Sequence, residues 1–388
     1  MRRLNLHKSR CPLVEKAQRC RWSLRRILGE ALFPTYSSRL VERLSRLDSV
    51  SRRHITVTLV VISVLAVMKV GPRPTVGWLT GHDVIPLLPQ RYRPWLDYVP
   101  DPWRDWAATT TSNVVLISLS FALTIVFITT IGWLLVRRLS NGQALVVFSL
   151  ILLGPWGTSL IAGAFALDGL FVVGATLIIF GWDAGWQLRV PGLAILIYAN
   201  PGQALVGGLC LLGLSFIPLF HAFQMRAGLV SLGGLGLLVL ERTFGAQASQ
   251  AGAFGDLLSS SVNSSLYTLP LRVLTLYGLF WVVILGLLIS LPRVQVAIGF
   301  LALVMVPTIV VVSTLDGTRV GVGVTILVVL AITSALIASR PDLLAAGKGA
   351  PPVVISLLLV TPVPVVWMGA VEVPYLFIAD QVGALISA

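Results

Sequence analysis

From residue 55 onward the sequence is a succession of apolar runs, too long and too poor in charge to be the core of a water-soluble domain. With 56% hydrophobic residues, 12% charged residues and a mean hydropathy of +0.89, most of the surface must face lipid. Only helices and closed barrels satisfy their own backbone there. The runs lack the alternation of barrel strands, so the sequence predicts an all-α, polytopic integral membrane protein.

Charge sets the expected orientation. Of the 29 Lys and Arg, 14 fall within the first 53 residues. A net charge of +13 distributed in this way is an orientation signal and not a nucleic-acid footprint, so residues 1–54 are read as a basic cytoplasmic tail. The tail has cations where a signal peptide would need its apolar stretch, so it is read as retained. Trp22–Leu32 and Tyr36–Leu47 mix Arg with large apolar residues at helical spacing. They suit anionic lipid or a cytosolic protein partner, with a solvated basic tail as the plain alternative. Arg outnumbers Lys by 25 to 4, which favours a bacterial cell membrane.

Crossings are expected near Ile55–Val70, Ser112–Val136, Ala144–Ile161, Leu167–Trp182, Ala204–Gln224, Ala227–Leu240, Pro270–Leu291, Val294–Ser313, Val320–Ala338 and Val353–Val371. With the shorter Val190–Ala199 as a crossing or re-entrant piece, there are about 11 transmembrane or re-entrant segments. Residues 55–372 then form the membrane domain, and 373–388 a short external tail. This parity places Arg137, Arg138, Arg189, Arg226, Arg293, Arg340 and Lys348 inside with the tail and leaves eight cations outside, as the positive-inside rule asks. Gly154-Pro155, Asn200-Pro201, Pro218 and Pro307 interrupt apolar runs. Irregular backbone at membrane depth must sit against protein or a wet cavity, so either packing kinks or a cavity is expected. Gly207-Gly208 and Gly233-Gly234-Leu235-Gly236 are read as close helix packing.

The candidate site residues lie on the expected outer face. The loop Gly71–Ala108 carries His82 and Asp83, then Trp95, Asp97, Tyr98, Asp101 and Trp103. This mix serves equally as an interfacial aromatic belt or as a sugar-binding surface, where ring faces stack and carboxylates bond hydroxyls. Asp168 stands alone in an apolar stretch. Glu241-Arg242 and Asp316 with Arg319 are acid–Arg pairs at segment ends, readable as local salt bridges or as working groups. Glycosyl transfer from a polyprenyl-phosphate carrier needs a carboxylate to take a hydroxyl proton and cations to hold the departing phosphate. Asp168, Asp83 and Asp316 are the candidate bases. Arg319 and Arg242 are the candidate phosphate clamps, and His82, Glu241, Trp95 and Tyr98 are further substrate contacts.

Gly81-His82-Asp83 followed by Tyr92, together with Asp316-Gly317-Thr318-Arg319, resembles two groups of polyprenyl-linked-sugar enzymes: GT-C glycosyltransferases and Wzy- or EpsG-type polysaccharide polymerases. The resemblance implies a membrane glycosyltransferase acting at the outer leaflet on a lipid-linked sugar. The first loop lacks a paired acidic motif, and no large C-terminal soluble domain follows, which favours the smaller polymerase type. P-loop, zincin, hydrolase and dinucleotide signatures are missing, and neither metal nor cofactor is expected. A transporter or flippase of a lipid or small solute is the competing reading, and a membrane scaffold is a further one. A transporter would place ionisable groups at the midplane, whereas an enzyme would gather them at one face.

Overall fold

The structure is a computed structural model that describes residues 52–70, 110–161, 168–244, 269–313, 317–339, 354–358, 361, 365–367 and 370–372. Its helices are α1 (Arg52–Val70), α2 (Thr110–Arg138), α3 (Asn141–Leu153), α4 (Pro155–Ile161), α5 (Asp168–Phe180), α6 (Trp186–Ala199), α7 (Pro201–Ser215) and α8 (Gln224–Phe244). They continue with α9 (Leu269–Ser290), α10 (Arg293–Val312) and α11 (Gly317–Ser339). A hairpin of β1 (Val365–Trp367) and β2 (Ala370–Glu372) follows, with Val365 opposite Glu372 and Trp367 opposite Ala370.

Among the described residues, four helices are long and apolar enough to cross a membrane: Pro218–Leu240, Leu269–Ser290, Arg293–Val312 and Val320–Ser339. Counting the bent pair α6–α7 as one span gives five, so several of the expected crossings are shorter pieces. The bundle is organised around α11. Of its membrane-length stretch 78% is buried, against 28% to 33% in the other three, so its neighbours cover it on most sides.

Local sequence explains where the helices stop. Ser140 precedes α3, and its backbone N–H is held by the Gln143 side chain at 3.1 Å, a first-turn cap. Gly154-Pro155 ends α3, because proline carries no N–H and its ring obstructs the preceding turn. Asn200 caps α7, its Oδ1 accepting from the Gln203 N–H at 3.1 Å, with Pro201 at the first helical position. The expected crossing Ala204–Gln224 is in fact α7, ending at Ser215, then a 3-10 turn over Pro218–Phe223, where Pro218 interrupts the run. Val353–Val371 departs further from expectation. It is helical only over 354–358 and then forms the β-hairpin, because Pro362 and Pro364 prevent a helix from continuing.

Helix directions follow from close glycine contacts. Gly174 of α5 lies against Leu196 of α6, and Gly192 of α6 against Leu177 of α5, so this pair is antiparallel. Gly208 of α7 meets Ser231 of α8, while Gly234 of α8 meets Pro201 and Leu205, so α7 and α8 are antiparallel too. Gln203 and Gly207 of α7 face Gly323 and Val324 of α11, which makes α7 and α11 parallel. The starts of α5, α7 and α11 and the end of α8 therefore share one end of the bundle. Between α6 and α7 the axis bends by 119°, a partial reversal. At 1.5 Å per residue, Gly234 is roughly 15 Å along α8, about half its length, so the break beside it lies at mid-depth. The glycine reading holds at Gly207, Gly208, Gly233 and Gly234. Gly236 differs, since a Cβ there would touch nothing within 4 Å.

Candidate functional site

Carbonyls freed by helix breaks would be costly in a lipid setting, and buried polar side chains satisfy several of them. Pro307 has no N–H to give the Leu303 carbonyl four residues earlier, and the fully buried Tyr277 hydroxyl donates to that carbonyl at 2.8 Å. The surrounding Leu301–Met305 is a π-helical turn, the local adjustment that admits the proline. Lys69, 7% exposed, donates Nζ to Leu153 O at the Gly154-Pro155 break, at 3.0 Å, and to Leu358 O. Arg272, fully buried, donates Nη1 to Val311 O at 3.0 Å near the end of α10. Trp156 is also fully buried; its Nε1 donates to Thr325 Oγ1 at 3.3 Å, and its ring packs edge-on against Phe280.

The opposite end of the bundle carries a basic cluster. Arg226 donates to Ile179 O at 2.8 Å and pairs with Asp183 at 3.5 Å, while Arg189 donates to Trp182 O at 2.6 Å. Both guanidinium groups flank the Trp182 ring, at 5.5 and 5.2 Å from its centroid. Cations at the C-terminal end of α5 complement its dipole, which accounts for both arginines structurally. His221 is exposed in the neighbouring 3-10 turn.

Asp83, His82, Trp95, Tyr98 and Asp316 lie outside the described residues, as does the basic tail. For Asp168, Glu241, Arg242 and Arg319 the backbone alone is described. Asp168 is the first residue of α5, where a carboxylate is favoured by the helix dipole, so part of its isolation in the sequence has a local reason. Arg319 lies in the first turn of α11, and Glu241-Arg242 in the last turn of α8. All four backbone positions belong to the end where α5, α7 and α11 begin.

Sequence reading missed three groups. Lys69 and Arg272 were counted among the outer cations, yet both are inside the bundle. Their signal was present, since each is a single cation within an apolar run. The third is Gln203, on the first turn of α7, 4% exposed, whose Nε2 is buried without a hydrogen-bond partner. The polar run Asn200-Pro201-Gly202-Gln203 between two apolar pieces marked its place. Among the described residues no three His, Cys, Asp or Glu side chains gather as a metal site would require. No family model matches the chain, and neither a curated protein nor a solved structure matches it.

Proposed function

We propose that the protein is a membrane glycosyltransferase or polysaccharide polymerase that takes sugars from a polyprenyl-phosphate carrier at the outer face of a bacterial cell membrane. One observation carries this reading: the backbone brings Asp168, Glu241-Arg242 and Arg319, far apart in sequence, to one end of the bundle. Arg189 and Arg226 occupy the other end, in keeping with a cytoplasmic face. The full topology goes with it: a cytoplasmic N-terminus, about 11 transmembrane or re-entrant segments, and residues 373–388 outside.

In this chemistry an acceptor hydroxyl attacks the anomeric carbon of the donor. The new glycosidic C–O bond forms as the bond from carbon to phosphate oxygen breaks, and the phosphate leaves with that electron pair. Asp168 takes the hydroxyl proton, with Asp83 and Asp316 as the other candidates, and Arg319 and Arg242 hold the leaving phosphate. The test is Asp168→Asn and Arg319→Lys in cells lacking the native protein. The first variant should remain in the membrane and abolish transfer from a lipid-linked sugar. The second keeps the charge but loses the two-pronged geometry and should weaken donor binding. Full surface-glycan synthesis by both would defeat the assignment.

A transporter or flippase is the second reading, and the mid-depth break at Asn200-Pro201 favours it, since broken helices at half depth hold transported solutes in many carriers. Counterflow of a labelled lipid-linked sugar in proteoliposomes, without any transfer product, would decide for it.

A further inference from the structure

We infer that the break between α6 and α7 is a phosphate-binding element, in which the Gln203 carboxamide and the Gly202 backbone amide donate to a phosphate oxygen at mid-depth. The inference rests on the proposed function for the source of that phosphate, a polyprenyl carrier.

Buried donors and acceptors are normally paired, and an orphan costs more than a made bond returns. The Lys69 ammonium, the Tyr277 hydroxyl, the Trp156 indole and the arginines all donate to carbonyl or hydroxyl oxygens, several of them at helix breaks. Gln203 does not. Its carboxamide lies in the notch that Gly323 leaves in α11, where any Cβ would collide with it, and its Nε2 donates to no protein atom. The wedge it occupies lies between the start of α7 and the first turns of α11.

The local donors point to an acceptor ligand. Pro201 has no N–H, and the N–H groups of Gln203 and Ala204 are taken by Asn200. The Gly202 amide is the donor left in that turn. A Cβ on Gly202 would meet only Asn200 Oδ1, at 3.6 Å, so the space beside this amide is open. Two donors at a helix start, on the end shared with the starts of α5 and α11 and with the buried Arg272 guanidinium, make a positive setting for an anion. Thr308 Oγ1 is also buried without a partner, but it sits alone beside Pro307 in α10 with no helix start around it.

The experiment uses the full chain in phosphatidylcholine nanodiscs, with undecaprenyl phosphate and, separately, inorganic phosphate as probes. Binding and thermal stability are measured for the native protein, Gln203→Met and Gln203→Glu. Gln203→Met removes an orphaned donor, so the ligand-free protein should melt no lower than native, while undecaprenyl phosphate binds at least tenfold more weakly. Gln203→Glu replaces the donor by an acceptor and should bind still more weakly than Gln203→Met. Binding of undecaprenyl phosphate but not of inorganic phosphate assigns the carrier lipid as the source, whereas equal binding assigns a free anion.

Three results would overturn the inference: no binding of either probe by the native protein, unchanged binding by Gln203→Met, or binding by Gln203→Glu equal to or tighter than that of Gln203→Met. Joint loss of melting temperature and binding in Gln203→Met would reveal a purely structural carboxamide and would also overturn it. Failure here is separable from failure of the enzyme reading. Transfer activity that survives Gln203→Met refutes the site alone, and Gln203-dependent binding without transfer refutes the enzyme alone.

Discussion

Gly234 and Gly236 lie two residues apart in the middle of α8 and make opposite demands on a methyl group. A Cβ at Gly234 would stand 2.7 Å from Pro201 O, 2.8 Å from Leu205 N and 3.2 Å from Leu205 Cα. All three are backbone atoms of α7, so no side-chain rotation relieves the overlap. Ordinary contacts begin near 3.4 Å, which obliges α7 to retreat by roughly 0.6 Å from α8. Forced displacements of this kind cost about 1–3 kcal/mol. At Gly236 a Cβ meets nothing. Both substitutions to alanine share the same gain in helix propensity, at most about 1 kcal/mol, so their difference isolates the overlap. Gly236→Ala should therefore be neutral or stabilising, with Gly234→Ala about 1–3 kcal/mol less stable than it. Unfolding by SDS titration in mixed dodecylmaltoside micelles measures this difference. Equal midpoints for the two variants would refute the close packing of α7 on α8, and with it the mid-depth position of the Asn200-Pro201 break.

Other expectations follow from the same contacts. Tyr277→Phe leaves the Leu303 carbonyl without its donor and should cost about 1–3 kcal/mol in the same titration, and an unchanged midpoint would show that water or another group serves the carbonyl. Arg226→Met removes the link from α8 to Ile179 O and Asp183; proteolysis near Trp182 should accelerate, whereas Arg226→Lys should retain part of the protection. Cysteine placed at Thr80 should be labelled from outside the cell and cysteine at Lys348 should not, and the reverse pattern would invert every face assigned above. Deleting Met1–Ser45 should leave an inserted membrane domain, because Arg52, Arg53 and His54 still flank α1; loss of insertion would give the tail a structural role.

The helical membrane character was legible because apolar runs leave few alternatives, and most segment ends followed from proline and glycine. Val353–Val371 was misjudged because hydropathy ignores donors: its valines are as apolar as any helix, but the prolines within it forbid continuous backbone bonding. The bend at Asn200-Pro201 was legible as an interruption and not as a reversal, since direction is decided by which glycines meet which backbone. At the candidate site, residue chemistry was readable and proximity was not. Asp168 and Arg319 share an end because α5 and α11 both run away from it, and no local pattern in either segment encodes that. Lys69 and Arg272 were taken for loop charges because a positive-inside count sorts cations by side and is blind to those that cap a helix end within the bundle.

Lys69 has one further consequence, for the order in which the chain is assembled. Its ammonium serves a carbonyl at residue 153 and another at residue 358, partners separated from it by 84 and 289 positions. A nascent chain that has inserted α1 holds a cation with neither acceptor in place. The first acceptor arrives with α3, and the second only when nearly the whole membrane domain has been synthesised. Until then this corner of the bundle remains open to whatever else can accept a proton donor, such as a lipid phosphate or a membrane insertase. Chains ending before residue 358 should stay associated with the insertion machinery longer than chains ending just beyond it. The earliest helix is thereby made to wait for one of the last, and a residue near the start of the membrane domain reports whether synthesis has reached its end.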